Sequence, residues 1–177
     1  MNITGKGMKF RWLNNAGFEM ELSSGKHLLV DPWLDEAQIY PISIDEIERA
    51  DYVLLTHTHD DHSDSIGRIQ KRFPQAAIFV GDLSEEALCK EYDLNVERLF
   101  RIRGREEYEF DDVKIEVISA RHTESKGGNY WDRGYCIQKD GSRRETMWYG
   151  SLEMYNFRIT DVNGYRAVVW GGMTTEE

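Results

Sequence analysis

Three of the five histidines in this 177-residue chain stand within six residues, in the segment His57–His62 (HTHDDH). Alternate residues of an extended chain point the same way, so His57 and His59 can converge on one point. A turn after them brings Asp61 and His62 towards a second point. Imidazole and carboxylate ligands without a thiolate suit zinc, and also manganese or iron(II). The segment therefore predicts one or two divalent metal ions, which would activate water at neutral pH.

Two predicted elements hold this segment in place. An apolar strand, Tyr52–Thr56 (YVLLT), precedes it and is expected to be buried on both faces. A helix is predicted over Ser63–Phe73, because its apolar residues recur at helical spacing and Pro74 follows it. A solvated helix start that happens to carry histidines is the alternative, and the position between a buried strand and a helix argues against it.

The rest of the chain alternates strands and helices in its first half and is mostly strand in its second. Further strands are predicted at Lys9–Leu13, Phe18–Leu22, His27–Val30, Ala76–Val80, Val113–Val117, Tyr135–Lys139, Glu145–Tyr149, Phe157–Ile159 and Ala167–Trp170. Further helices are predicted at Ile44–Arg49 and Leu83–Tyr92. This order indicates an α/β or α+β fold, a four-layer sandwich with two sheets face to face and helices outside.

Four segments together resemble the metallo-β-lactamase superfamily in its broad hydrolase sense. They are Trp12–Phe18 (WLNNAGF), Val30–Leu34 (VDPWL), the histidine segment and Ser119–His122 (SARH). The second is similar to the branch that contains ascorbate-6-phosphate lactonase, and the resemblance covers most of residues 8–173. It implies the αββα sandwich, a site at the sheet edges, and water attacking an ester, lactone, amide or phosphodiester.

The resemblance also implies a role for each residue at a matching position. A first metal ion would be held by His57, His59 and His122. Asp61 and His62 would contribute to a second ion, and Asp61 would also orient or deprotonate the attacking water.

Two of these assignments have a plain structural alternative. Asp31 ends a strand near the site in such folds and would support a ligand histidine from behind. It is equally well explained as a turn residue before Pro32. For His122 the alternative is a histidine of a surface loop, which explains the residue less well than a role as metal ligand.

The chain departs from the family pattern at the second metal. The family has a bridging aspartate where Trp148–Ser151 (WYGS) stands, so Ser151 replaces it, and a serine hydroxyl stays protonated at neutral pH. Glu153 or Asp161 would be substitutes, unless both are ordinary surface carboxylates. The family's late histidine has no counterpart, and Thr174–Glu177 (TTEE) resembles a helix start. We therefore expect one domain over residues 1–177 whose C-terminal part is missing, with one metal ion if the chain ends there.

The composition limits the partners. The net charge is −10, which works against sequence-independent binding of nucleic acid. No apolar run approaches the roughly 20 residues that a membrane helix needs, and no secretory signal is evident. The two cysteines form no disulfide framework, so we expect a cytoplasmic protein. An open sheet edge in a truncated chain would favour a homo-oligomer.

One segment is basic although the chain as a whole is acidic. Residues 121–144 carry six basic and three acidic side chains just after His122. Arg121, Lys126 and Arg133 are therefore candidates for binding an anionic group of a small-molecule substrate. A solvated hairpin tip is the alternative.

These features favour a metal-dependent hydrolase of a small ester, lactone, amide or phosphate-bearing compound. A phosphodiesterase or nuclease of the same superfamily is a second reading, which the acidic balance opposes. A third is a degenerate domain that binds without catalysis, and Ser151 and the missing late histidine support it.

Overall fold

Seven strands form the first sheet, and they are hydrogen-bonded in the order in which they occur in the chain. They are β1 (Asn2–Ile3), β2 (Lys9–Asn14), β3 (Gly17–Glu21), β4 (His27–Val30), β5 (Tyr52–Leu54), β6 (Ala77–Gly81) and β7 (Leu99–Ile102). The pairs from β1 to β4 are antiparallel and those from β4 to β7 are parallel. The computed structural model describes residues 2–3, 7–35, 37, 41–122, 135–137, 143–145 and 153–174.

A second, antiparallel sheet contains five strands in which β9 pairs with three others. They are β8 (Glu107–Glu109), β9 (Val113–Arg121), β12 (Met154–Asp161), β13 (Arg166–Val169) and β14 (Met173–Thr174). The strand β9 is paired along its length with β12, from Met154 opposite Ala120 to Asp161 opposite Val113. A separate hairpin joins β10 (Tyr135–Ile137) to β11 (Arg143–Glu145).

Two apolar clusters hold the layers together. One lies between the sheets and includes Leu54, Phe79 and Phe157. The other lies between the first sheet and the helices, and includes Ile66 and Leu88. The helices are α1 (Asp60–Ser63), α2 (Ile66–Arg72) and α3 (Glu85–Tyr92), with 3-10 turns at Ile44–Glu46 and Val96–Arg98. The predicted α/β class with two sheets face to face is confirmed, and within the described ranges the helices pack on the first sheet.

The strands β5 and β6 show why the predicted apolar runs became parallel strands. Every residue of both is buried, because helices cover one face and the second sheet covers the other. Such strands need no alternation of polar and apolar residues.

Several predicted boundaries were wrong. The helix predicted over residues 63–73 is α2, which begins only at Ile66, and the separate short helix α1 precedes it at residues 60–63. The helix predicted over residues 44–49 is a single 3-10 turn, although Ser43 and Glu46 do form the capping box. The strands β7 and β8 were not predicted, because each is short and carries charged residues. Thr174, the predicted helix start, ends β14, and residues 175–177 lie outside the described ranges.

A glycine shapes the turn between β12 and β13. Gly164 adopts a positive φ of 79° and donates its N–H to the carbonyl of Asp161. No helix in the described part of the chain is long and apolar enough to cross a membrane.

Phe157 is fully buried between the sheets, so Phe157→Ala should leave a cavity in the core. We expect it to lower the free energy of unfolding by about 3–5 kcal/mol, measured by urea denaturation. Val168, on the neighbouring strand β13, is 55% exposed, and Val168→Ala should change the value by about 0.5 kcal/mol or less. Equal effects would show that the inter-sheet core contributes little to stability.

Candidate metal centre

The histidine segment leaves the first sheet at the carboxyl end of β5. The N–H of Leu55 still bonds to the carbonyl of Phe79, and the chain bends at Thr56 before it reaches His59, the N-cap of α1, which has the extended dihedrals φ −66° and ψ 153°. The helix turns His62 back, so that its N–H bonds to the carbonyl of His59. A buried strand followed by one short helical turn thus places three imidazoles at one sheet edge.

The rings of four histidines pack together at this edge. The ring centroid of His57 lies 4.6 Å from that of His59, 3.9 Å from that of His62 and 5.1 Å from that of His122. His122 comes from the second sheet, directly after β9. One ring nitrogen each of His57, His59 and His122 lie within 4.8 Å of one another, and Nε2 of His57 is 2.9 Å from Nδ1 of His59.

Thr56 sets the proton arrangement of His57. Its backbone N–H and its hydroxyl both donate to the Asp31 carboxylate, at 2.8 and 2.6 Å. The hydroxyl has only one proton, so at its 3.0 Å contact with Nδ1 of His57 it accepts. Nδ1 therefore carries the ring proton, and the Nε2 lone pair of His57 points towards His59. Sequence analysis missed Thr56, because a threonine at the end of an apolar strand has no distinguishing pattern.

Burial keeps His57 neutral. Loss of hydration, together with repulsion from the other three histidines, lowers the pKa of His57 well below its ordinary 6.5. A neutral imidazole with an available lone pair is the form that binds a metal ion.

His62 has the opposite electrostatic surroundings. Its Nδ1 lies 2.9 Å from an oxygen of Asp31, although the contact is poorly aligned for a hydrogen bond, and its Nε2 lies 3.8 Å from Asp61. Burial alone would lower the pKa of His62, but the charges of Asp31 and Asp61 outweigh it, so the pKa is raised. The structure thus places Asp31 beside His62.

Asp61 is the most accessible carboxylate of the segment. Its side chain is 42% exposed, and one oxygen accepts a 2.6 Å hydrogen bond from Nδ2 of Asn15. Asn15 stands in the turn between β2 and β3 with a positive φ of 41°, a conformation that asparagine tolerates. Sequence analysis quoted Asn15 only as part of a resembling segment and gave it no role.

The two predicted substitutes for a bridging carboxylate have other partners. Glu153 is buried, accepts the backbone N–H groups of Leu83 and Ser84 and the hydroxyls of Ser84 and Tyr155, and so fixes the chain before α3. It therefore does not join the converging imidazoles.

Asp161 is at the wrong end of the sheet. It pairs with Val113, whereas His122 follows the opposite end of β9. Its carboxylate accepts the backbone N–H groups of Asn163 and Tyr165, so it orders the turn between β12 and β13. Asp161 therefore does not substitute for the bridging aspartate, and it is not an ordinary surface carboxylate either, because it is buried.

Two of the residues predicted to bind an anionic group, Lys126 and Arg133, lie outside the described residues. Ser151, at the family's bridging position, also lies outside them. Arg121 is exposed at the end of β9, one residue before His122.

The second sheet also reaches Thr56. Tyr155 donates its backbone N–H to the carbonyl of Thr56 at 2.9 Å. Gly171 packs on the side chain of Thr56 so closely that a Cβ would lie 2.8 Å from it. Asn156, fully buried, holds this glycine turn by accepting the N–H groups of Gly171 and Gly172. Sequence analysis did not identify Asn156, since an asparagine within a strand carries no signal of such a contact.

The donor set fits a divalent transition metal. Three imidazoles converge, one of them with its tautomer fixed and its charged form disfavoured, and a carboxylate and a fourth imidazole stand beside them. Nitrogen donors with a nearby carboxylate suit zinc, manganese or iron.

The sequence profile of the beta-lactamase superfamily domain matches residues 9–171. The chain belongs to the beta-lactamase superfamily. This membership confirms the resemblance seen in the sequence, and the fold agrees with it. Igni18, a metallo hydrolase from Ignicoccus hospitalis, superposes with a TM-score of 0.64 at 16% identity, over 94% of this chain and 61% of that one.

Curated proteins named as metal-dependent hydrolases are similar to this chain in sequence. A UPF0173 metal-dependent hydrolase of Aeropyrum pernix is 33% identical over 96 residues, which are 52% of this chain and 39% of that protein. Another, from Korarchaeum cryptofilum, is 29% identical over 141 residues, 77% of this chain and 57% of that protein. The chain spans about half the length of the curated relatives that it matches.

Replacement of Thr56 tests the tautomer argument. Thr56→Val keeps the methyl group under Gly171 and replaces the hydroxyl between Asp31 and His57 with a second methyl group. We expect zinc affinity to fall about 10–100-fold, measured by competition with a chromophoric chelator. Thr56→Ser retains the hydroxyl and should bind zinc nearly as the parent does. Equal affinities for folded Val and Ser variants would contradict the role assigned to the hydroxyl.

The lowered pKa of His57 predicts a pH-dependent stability of the metal-free chain. An unfolded His57 takes up a proton near pH 6.5, while the folded one resists it, so the unfolded state binds more protons in this interval. Stability is therefore lost as the pH falls below 6.5, by up to about 1.4 kcal/mol per pH unit relative to His57→Gln. Urea denaturation at pH 5.0 to 7.5 with a chelator measures it. If the free energies of unfolding of the parent chain and of His57→Gln changed with pH by the same amount, the prediction would be contradicted.

Proposed function

We propose that this chain is a metal-dependent hydrolase that cleaves an ester, lactone, amide or phosphate-bearing small molecule. The observation that supports this most directly is the convergence of three imidazoles, from His57, His59 and His122, on one point at the sheet edge. The relatives named as metal-dependent hydrolases support the same reaction class. Their greater length makes the activity of this chain a matter for experiment.

The three imidazoles would hold one divalent ion. Such an ion acts as a Lewis acid and brings the pKa of water close to 7. The chain supports this by keeping His57 neutral through burial and by orienting its ring through Thr56. His59 reaches the same point because it is the last extended residue before α1.

Asp61 is the residue that we assign to the proton. One of its oxygens is held by Asn15, which fixes the carboxylate, and the side chain is accessible to solvent. A carboxylate so placed can orient a water molecule and accept its proton as the water attacks the substrate. Nε2 of His62 lies 3.8 Å from the other oxygen of Asp61, and the charges of Asp31 and Asp61 raise the pKa of His62.

The proposal commits to one ion at the three-histidine group. Asp61 and His62 face each other at 3.8 Å and would contribute to a second ion, as the resemblance implied. Within the described ranges, this pair is not joined by a third carboxylate or imidazole in a converging group.

A second candidate function is a binding module that keeps the metal but lacks catalysis. Glu153 and Asp161 are both engaged elsewhere, which leaves the place of the bridging carboxylate to Ser151. The two candidates make the same prediction for metal binding and opposite predictions for turnover.

Replacement of His59 tests the proposal against a matched histidine. We expect about one zinc per chain by elemental analysis, hydrolysis of 4-nitrophenyl acetate, and loss of both in His59→Ala. His27 lies in β4 and contacts Glu19, away from the cluster, so His27→Ala should retain metal and activity. Zinc binding without turnover on an ester, lactone and phosphodiester panel would favour the binding module. A folded parent chain that binds no metal would overturn both readings.

A further inference from the structure

The turn between β2 and β3 touches the candidate metal centre through Asn15. The side-chain amide nitrogen of Asn15, Nδ2, lies 2.6 Å from Oδ2 of Asp61. An ionised carboxylate only accepts hydrogen bonds, so the amide N–H donates. The two residues are 46 positions apart in the chain, and the contact therefore exists only in the assembled fold.

This hydrogen bond distinguishes the two oxygens of Asp61. Oδ2 is taken by Asn15, whereas Oδ1 lies 3.8 Å from Nε2 of His62, one of the four clustered histidines. The terminal torsion of an aspartate is soft and two-fold, so an exposed carboxylate without such a partner exchanges its oxygens by rotation. With Oδ2 held, Oδ1 stays on the side of the histidine cluster.

The backbone of the turn restricts which residue can stand at position 15. Asn15 has a positive φ of 41°, a region in which most side chains are strained. Glycine, asparagine and aspartate adopt it most readily. Of these three, only asparagine carries a side-chain N–H donor. Asn15 therefore satisfies the turn and the carboxylate at the same time.

Three further contacts hold the turn in place. The indole Nε1–H of Trp12 donates to the carbonyl of Asn15 at 3.0 Å. Oδ1 of Asn14, a buried residue, accepts the backbone N–H of Asn15 at 2.9 Å. Gly17 approaches the backbone of Asp31 so closely that a Cβ would lie 2.8 Å from the Asp31 carbonyl oxygen. The turn is thus fixed on both sides of Asn15 and packs on a residue of the site.

We propose that Asn15 and Trp12 are positioning residues for the proton transfer assigned to Asp61. Asn15 presents Oδ1 of Asp61 to the attacking water, and Trp12 acts through Asn15 by holding its carbonyl. A general base works only within hydrogen-bond reach of the proton, so a carboxylate kept in one orientation is more effective than a rotating one. This inference rests on the proposed function, because it assigns the water proton to Asp61.

The reaction used for the test is hydrolysis of 4-nitrophenyl acetate. The water oxygen bonds to the acyl carbon while Oδ1 of Asp61 accepts the proton of the water. The bond from the acyl carbon to the phenolic oxygen then breaks, which releases acetate and 4-nitrophenolate.

NMR of the ¹⁵N-labelled, metal-free 177-residue chain tests the contacts without turnover. Asn15→Gly tolerates the positive φ and identifies the side-chain amide signals of Asn15 by their loss. We expect these signals to move in Asp61→Ala, which removes the acceptor, and in Trp12→Phe, which keeps a ring but removes the indole N–H. Asn163→Asp changes an exposed asparagine beside Asp161, in the turn between β12 and β13, and should leave the signals in place.

Kinetics of the zinc-loaded chain test the positioning. Asn15→Asp keeps the shape and the backbone conformation of Asn15 but places a second carboxylate against Asp61. We expect kcat to fall about 10–100-fold in Asn15→Asp and about tenfold in Asn15→Gly, with KM and zinc content unchanged. Asn163→Asp adds the same charge beside a carboxylate far from the cluster and should leave kcat unchanged.

A double-mutant cycle tests whether Trp12 acts through Asn15. Trp12→Phe alone should lower kcat about threefold. In the Asn15→Gly background it should lower kcat no further, because the side chain that transmits the effect is already absent. An equal loss in both backgrounds would overturn the role assigned to Trp12.

The outcomes separate this inference from the proposed function. If the parent chain cleaves no ester but the Asn15 signals respond to Asp61→Ala and Trp12→Phe, the positioning of Asp61 stands and the proposed hydrolysis fails. If esters are cleaved with equal kcat by the parent, Asn15→Gly and Asn15→Asp, the inference is overturned and the hydrolase stands. Asn15 signals that do not respond to Asp61→Ala would overturn it whether or not esters are cleaved. Loss of zinc in proportion to kcat would also overturn it, because Asn15 would then support metal binding.

Discussion

The buried charge of Asp31 is the constraint on which the site depends. Its side chain is 1% exposed, and a carboxylate taken out of water is stable only when hydrogen-bond donors or positive charge replace its hydration. Thr56 supplies two donors and His62 supplies an adjacent imidazole. Since Asp31 ends β4 and Thr56 follows β5, this requirement fixes the ends of two neighbouring strands against each other. Asp31 also has a positive φ of 42°.

Thr56 links the buried carboxylate of Asp31 to both sheets. Its hydroxyl orients His57, its carbonyl accepts from Tyr155 of the second sheet, and its side chain leaves room only for a glycine at position 171. His122 arrives from the second sheet as well. The metal centre is therefore built where the two sheets are tied together, so the geometry of the imidazoles depends on the packing of the whole sandwich.

The sequence was informative where a pattern is local. The spacing of His57–His62 and the apolar run before it predicted the segment and its position at a strand end. It was uninformative where the decisive partner is distant in the chain. Asp161 and Glu153 are carboxylates near the expected place in sequence, yet one orders a turn and the other fixes the chain before α3. Asn15 and Asn156 have no motif, and only the assembled sheets bring them to Asp61 and Gly171.

The hydrogen bonds around Asp31 also make the site sensitive to substitution. Its carboxylate accepts the backbone N–H and the hydroxyl of Thr56 and lies beside His62. The residues that orient the imidazoles are buried and mutually bonded, and a change in any of them leaves a polar partner unsatisfied.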